Sequence, residues 1–285
     1  MKFSVLSFQC SVFLLAAGVS RAETPLEVKL VSEVTSIQPG KAFYVGLHLH
    51  HGPGYHSYWK FPGIVGVPTN IQWKLPGGFV AGEIEWPEPE SVLMFKIKAQ
   101  GFDRDVLLPV KITPPASLKP GETVRLEGKA SWMVCARTCH PGFGDVSLEL
   151  SVKNETPAFD DKWRAMFDQE RGRVARPTDA WKASAVESGQ AVTLTLAPAS
   201  RSARKLTGEQ VGKVIFFTED GWIDSDKPQT VKLNNDLSVT ISMERSEVYL
   251  GKEPPRELIG IVQSPGGWLA DADLRSMKIA PTLNR

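Results

Sequence analysis

Paired prolines and glycines cut the N-terminal half of this chain into short runs. Pro39-Gly40, Gly52-Pro53-Gly54, Pro62-Gly63, Pro76-Gly77-Gly78, Pro120-Gly121 and Pro141-Gly142 each supply the fixed φ or the left-handed freedom that a tight turn demands. Between them lie segments rich in β-branched and aromatic residues, which in that setting form strands. Strands are expected near residues 27–34, 42–50, 69–74, 106–113, 123–135 and 145–152. Short strands between frequent turns make an antiparallel sandwich.

The texture changes after residue 155. Phe159, Trp163, Met166 and Phe167 are spaced to line one helical face over residues 159–171, and Gly172 and Pro177 end it. From Trp181 the strand pattern returns, with runs near 191–197, 213–218, 238–243 and 257–263. The expected fold is therefore all-β, with two immunoglobulin-like antiparallel β-sandwich domains joined by a short helix. The expected boundaries are 23–155 for the first domain, 156–177 for the helical connector and 178–285 for a second, smaller β domain. That second segment holds no cysteine and no histidine.

Residues 1–22 read as a secretory signal peptide. Lys2 provides the basic start, residues 3–19 are mostly apolar, and Ser20-Arg21-Ala22 ends in a cleavable small residue. Cys10 would leave with that segment. The remaining chain carries 31 basic against 32 acidic residues, so no charge excess directs it to nucleic acid or to an anionic membrane. No later run is long and apolar enough to span a bilayer, and no stable membrane insertion is expected after cleavage. An exported, periplasmic protein follows.

Export leaves two cysteines, Cys135 and Cys139, in an oxidising compartment. The strand leading to them alternates: Val124, Leu126, Ala130, Trp132 and Val134 share the core face, and Arg125, Glu127, Lys129, Ser131, Met133 and Cys135 the other. Cys135 is thus expected on the wetter face, at a strand end. After Cys139 the alternation resumes with Val146, Leu148, Leu150 and Val152 inward, so the two runs should form a hairpin. Opposed residues there have Cα atoms roughly 4.5–5.5 Å apart, and a disulfide needs about 4.4–6.8 Å.

As a staple, such a bond does little. A ring of about five residues contributes roughly 2 kcal/mol in the loop-entropy picture, against about 4.7 for a 100-residue ring. As a redox couple it is well placed, close to a loop, with Arg137 and His140 alongside to favour a thiolate. A structural disulfide in a non-catalytic binding module is the alternative. Haem attachment is disfavoured, because Cys135-Ala-Arg-Thr-Cys139-His140 is one residue longer than the C-x-x-C-H motif. His48 and His50 point the same way on a strand, which raises a copper-handling alternative, but no carboxylate or cysteine lies close in sequence to complete a ligand set. No cofactor and no metal is assigned. Tyr55, Tyr58, Trp59, Trp73 and Trp86 read as packing aromatics.

A set of motifs in order carries a resemblance. Tyr55-His-Ser-Tyr-Trp-Lys-Phe-Pro-Gly63, Pro68-Thr-Asn-Ile-Gln-Trp73, Pro76-Gly-Gly-Phe79, Glu85-Trp-Pro-Glu-Pro89, Val106-Leu-Leu-Pro-Val-Lys-Ile112, Leu118-Lys-Pro-Gly121 and Ser131-Trp-Met-Val-Cys135 resemble the periplasmic N-terminal region of DsbD/ScsB-type thiol:disulfide interchange proteins. Val214-Ile-Phe-Phe217, Gly221-Trp-Ile-Asp224 and Pro228-Gln229 are similar to the second periplasmic domain of the ScsB branch.

The resemblance implies a protein-disulfide reductase component with Cys135 and Cys139 as the exchanging pair. It implies a membrane-embedded DsbD-like electron donor and thioredoxin-like periplasmic proteins as partners. It also implies a cap loop with an aromatic residue over the pair, for which Phe95 is the first candidate and Phe102 the second. The family's membrane and thioredoxin-like domains do not follow within these residues, so transfer in trans is the expectation.

Overall fold

A computed structural model describes residues 25–285; the expected signal segment lies outside the described residues. The N-terminal half contains β1 (Leu26–Ser32), β2 (Ser36–Ile37), β3 (Phe43–His51), β4 (His56–Tyr58), β5 (Asn70–Lys74), β6 (Val80–Ile84), β7 (Glu90–Met94), β8 (Ile97–Phe102), β9 (Val106–Thr113), β10 (Thr123–Cys135) and β11 (Cys139–Val152). One sheet has the order β1-β3-β9-β6. The other runs β2-β11-β10-β4-β8-β7, with β5 also paired to β10. Leu47, Leu49, Leu108 and Ile112 of the first sheet meet Leu126, Ala130, Val134 and Leu150 of the second in one buried core. Each such side chain contributes roughly 1.5–3 kcal/mol by leaving water.

The β10–β11 hairpin is the longest feature, with thirteen opposed pairs from Thr123↔Ser151 to Cys135↔Cys139. The expected loop at Pro141-Gly142 is part of this strand. Gly142 permits it, because a Cβ there would meet the Trp132 indole at 2.3 Å. Pro141 is tolerated because β11 has β10 on one side only, apart from the β2 pairing at Ser151 and Val152.

After the sandwich comes α1 (Arg164–Arg173), which begins five residues later than the apolar spacing predicts. Phe159 instead bridges to Val34. The helix lies against the first sandwich: Phe167 is buried in a cluster with Val31 and Leu107, and the fully buried Glu170 pairs with Arg104.

The C-terminal half contains β12 (Trp181–Ser188), β13 (Ala191–Pro198), α2 (Gly208–Val211), β14 (Ile215–Thr218), β15 (Thr230–Leu233), β16 (Val239–Glu244), β17 (Gly260–Gln263), β18 (Ser276–Ile279) and β19 (Leu283–Asn284). Its sheets, β15-β16-β13-β12-β19 and β14-β17-β18, enclose a second core around Trp181, Leu194, Phe216, Ile241 and Trp268. The Trp181 indole donates to the Trp268 carbonyl at 2.7 Å, and the Trp268 indole to that of Val262 at 2.8 Å. The fold is all-β, two immunoglobulin-like sandwiches with few helices. They touch: Phe217 and Ile261 of the C-terminal sandwich belong to the N-terminal core.

Candidate redox site

Cys135 and Cys139 are joined by a disulfide that closes the end of the long hairpin. Their Cα atoms are 4.1 Å apart, and Ala136, Arg137 and Thr138 form the connection. The Ala136 N–H donates to the Thr138 carbonyl at 3.1 Å, so the loop is pinned across its own mouth.

The two cysteines have opposite surroundings. Cys139 is exposed, whereas Cys135 is 0% exposed. The expectation that Cys135 sits on a wet face is corrected here. Its side chain does share a face with neither Val134 nor the main core, but that outer face is covered at this end. Cys135 belongs to a small buried cluster with Tyr58, Val92 and Ala99, flanked by Val65 and Met133. Strand register explains the grouping: Cys135 lies opposite His56, Tyr58 opposite Gly101, and Val92 opposite Ala99. These residues alternate onto one side of the sheet. Gly66 completes the cover at φ 99°, where a Cβ would fall 2.3 Å from the Tyr58 ring.

Burial shapes the polar groups nearby. It pushes the His56 imidazole below its usual range and the Tyr58 phenol above. His56 is therefore a neutral neighbour of Cys135 near pH 7. The cationic side chain expected next to the pair, Arg137, stands exposed on the connecting loop. His140 is exposed too, with its Nε2 2.8 Å from the Thr138 hydroxyl and its ring 6.0 Å from that of Tyr55. Phe95 forms the turn of the β7–β8 hairpin at φ 57° and is 69% exposed. The hairpin residues in the Cys135 cluster are Val92 and Ala99, while Phe102 is buried in the main core.

His48 and His50 are engaged by protein groups, while the buried His51 ring has no hydrogen-bond partner on either nitrogen. His48 lies against the Trp163 ring at 4.9 Å, and His50 Nδ1 is 2.6 Å from the Asp105 carboxylate. Asp105 also accepts the His51 backbone N–H at 3.1 Å. That carboxylate comes from the start of β9, 55 residues away, so proximity in sequence could not reveal it. Among the described residues, no three His, Cys, Asp or Glu side chains gather as a metal site would require. Among them also, no helix is long and apolar enough to cross a membrane.

An immunoglobulin-like sandwich whose longest hairpin ends in a half-exposed cysteine pair defines a domain of the thiol–disulfide interchange class. Residues 22–151 match the family model described as thiol:disulfide interchange protein DsbD, N-terminal. No curated protein matches significantly. Among solved structures, the N-terminal periplasmic domain of ScsB from Proteus mirabilis shares 18% identity and a TM-score of 0.58, covering 87% of this chain and 91% of that one. This supports the same two-sandwich fold. A protein of unknown function from Porphyromonas gingivalis W83 aligns over 91% of this chain and 100% of its own at 12% identity, but its TM-score of 0.26 carries no weight.

Proposed function

We propose that this chain is a periplasmic thiol–disulfide exchange protein that relays electrons through Cys135 and Cys139. It takes them from a membrane-embedded DsbD-like donor and passes them to thioredoxin-like proteins. The observation that carries this reading is the asymmetry of the pair: Cys139 is an exposed residue, and its neighbour Cys135 is enclosed. In the reduced protein the Cys139 thiolate attacks a sulfur of the partner's disulfide, and one partner thiolate leaves. Cys135 then attacks the Cys139 sulfur of the mixed disulfide. This restores the internal bond and releases the second partner thiol. Two electrons have moved to the partner, and a donor dithiol reverses the sequence. Residues 23–155 form the redox domain in this scheme, with Arg137 and His140 favouring the thiolate of the pair and Phe95 serving as the aromatic cap residue.

Trapping tests the assignment. Cys135→Ala should accumulate a mixed disulfide through Cys139 with a thioredoxin-like partner, and Cys139→Ala should not. Absence of any adduct with either variant would refute the relay. A reduction potential below about −300 mV would instead mark a structural bond.

A further inference from the structure

The cover over Cys135 is held from behind by the C-terminal sandwich. Strand β8 has two faces with different tasks. Ala99 and Gly101 turn toward the Cys135 cluster, and Gly101 must lack a Cβ because one would sit 2.2 Å from the Ser57 carbonyl. Gln100, between them, turns the other way and is 3% exposed. Its side-chain amide donates to the Thr218 carbonyl at 2.9 Å and to the Phe61 carbonyl at 2.6 Å, and accepts the Thr218 N–H at 3.0 Å. Its backbone N–H donates to the Pro62 carbonyl, and its carbonyl accepts from Trp59.

Two further contacts run beside it. The Lys98 N–H donates to Asp226 at 2.8 Å, and the Ser225 hydroxyl donates to the Lys98 carbonyl at 3.3 Å. Ser225 also presses on Gly63, in the loop that carries Val65 and Gly66 over Tyr58. The seam is packed elsewhere too, by Phe217 and Ile261 in the N-terminal core and by the Lys60–Glu219 ion pair at 2.8 Å, but it leaves a gap beside Gln100. A cleft of about 310 Å³ lies between Ser91, Lys98 and Gln100 on one side and Val214, Phe216 and Gln229 on the other. The β7–β8 hairpin is the last ribbon of its sheet, and a two-stranded ribbon at a sheet edge has little stability of its own.

We infer that residues 218–226 of the C-terminal sandwich brace the β7–β8 hairpin closed over Cys135, with Gln100 as the positioning residue that carries the connection. The brace keeps Cys135 sealed, so that incoming sulfur chemistry is confined to Cys139. This gives the second sandwich a task in a chain where it has no redox group. The inference rests on the reading of the pair as an exchanging couple, yet it is read out separately.

The full chain is reduced with dithiothreitol, freed of reductant and treated with iodoacetamide, and alkylation of each cysteine is followed by mass spectrometry. In the unaltered protein Cys139 is modified and Cys135 is protected. Gln100→Ala leaves the Thr218 backbone N–H and carbonyl without the Gln100 amide and should speed Cys135 modification about tenfold, with Cys139 unchanged within about twofold. Asp226→Ala, which removes a single acceptor, should act in the same direction but less, and serves if Gln100→Ala fails to fold. Equal acceleration at both cysteines, or no change at Cys135 in either folded variant, overturns the brace. Loss of partner trapping by Cys135→Ala bears on the relay and leaves this measurement standing.

Discussion

Arg104 lays its guanidinium across the Glu170 carboxylate, with bonds of 2.6 and 3.1 Å, at a helix position with no solvent exposure. The same guanidinium donates through Nε to Glu90, the first residue of β7, at 2.9 Å. One side chain therefore ties α1 to the base of the hairpin beside Cys135. Burial pushes the Glu170 carboxyl up, opposed by Arg104, so the carboxylate depends on its partner.

Removing that partner should be costly. Arg104→Met strands a buried charge and is expected to destabilise the protein by about 3–5 kcal/mol. Adding Glu170→Leu should recover much of the loss, because the more deeply buried of the two carboxylates left without Arg104 goes with it. Urea unfolding of the single and double variants measures both steps. A loss under about 1 kcal/mol, the level of an exposed pair, would show the bridge to be unimportant.

The buried His51 and the half-buried Glu90 should set opposing pH trends. Burial lowers the His51 imidazole from 6.5 to about 4. Its contribution is intact above pH 6.5 and is lost as the pH falls toward 4, where the unfolded chain binds a proton the folded one refuses; the loss is about 3 kcal/mol by pH 4. Burial raises the Glu90 carboxyl, so its contribution is full below pH 4.5 and declines as the pH rises past it. Unfolding midpoints at pH 4.5, 6 and 8 should show a shallower acid loss in His51→Gln and a smaller decline toward high pH in Glu90→Gln. Unchanged slopes would contradict the burial argument.

Breaking the disulfide should leave the sandwich standing. The bond closes a hairpin that already has twelve other opposed pairs, and its small ring is worth at most about 2 kcal/mol. Urea unfolding with and without dithiothreitol checks this. Unfolding on reduction alone would favour a structural staple over a redox couple.

Gly66→Ala should loosen the cover over Cys135. It forces a side chain into a left-handed backbone position and against the Tyr58 ring. A destabilisation of about 1–3 kcal/mol is expected, together with a change in Tyr58 fluorescence or near-ultraviolet dichroism. Wild-type spectra and stability would mean that the ring moves aside freely.

Much of this architecture was legible in the residues. The alternation from Val124 to Val134 places the core face of β10 correctly, and the paired cysteines announce the closed hairpin end. The β7–β8 hairpin was not legible. Its turn lacks the Gly, Asn or Asp that usually takes positive φ, and Phe95 holds that conformation instead. The burial of Cys135 was hidden for a different reason. Tyr58, Val65, Val92 and Ala99 reach it from distant parts of the chain, and periodicity within β10 reports only on its own two faces. The Gln100 clamp is equally silent, since its partner Thr218 is 118 positions away.

The one-sided pairing of β11 has a consequence for crowded compartments. From His140 to Leu150 the strand's outer flank pairs with no other strand among the described residues, and such an unpaired margin is a template for fibrils and swapped dimers. Pro141 withholds a donor there, Gly142 and Gly144 soften the ribbon, and Asp145 and Glu149 would set like charges against a second copy in register. The molecule can thus leave its sulfur-bearing rim uncovered for strangers while discouraging its own kind.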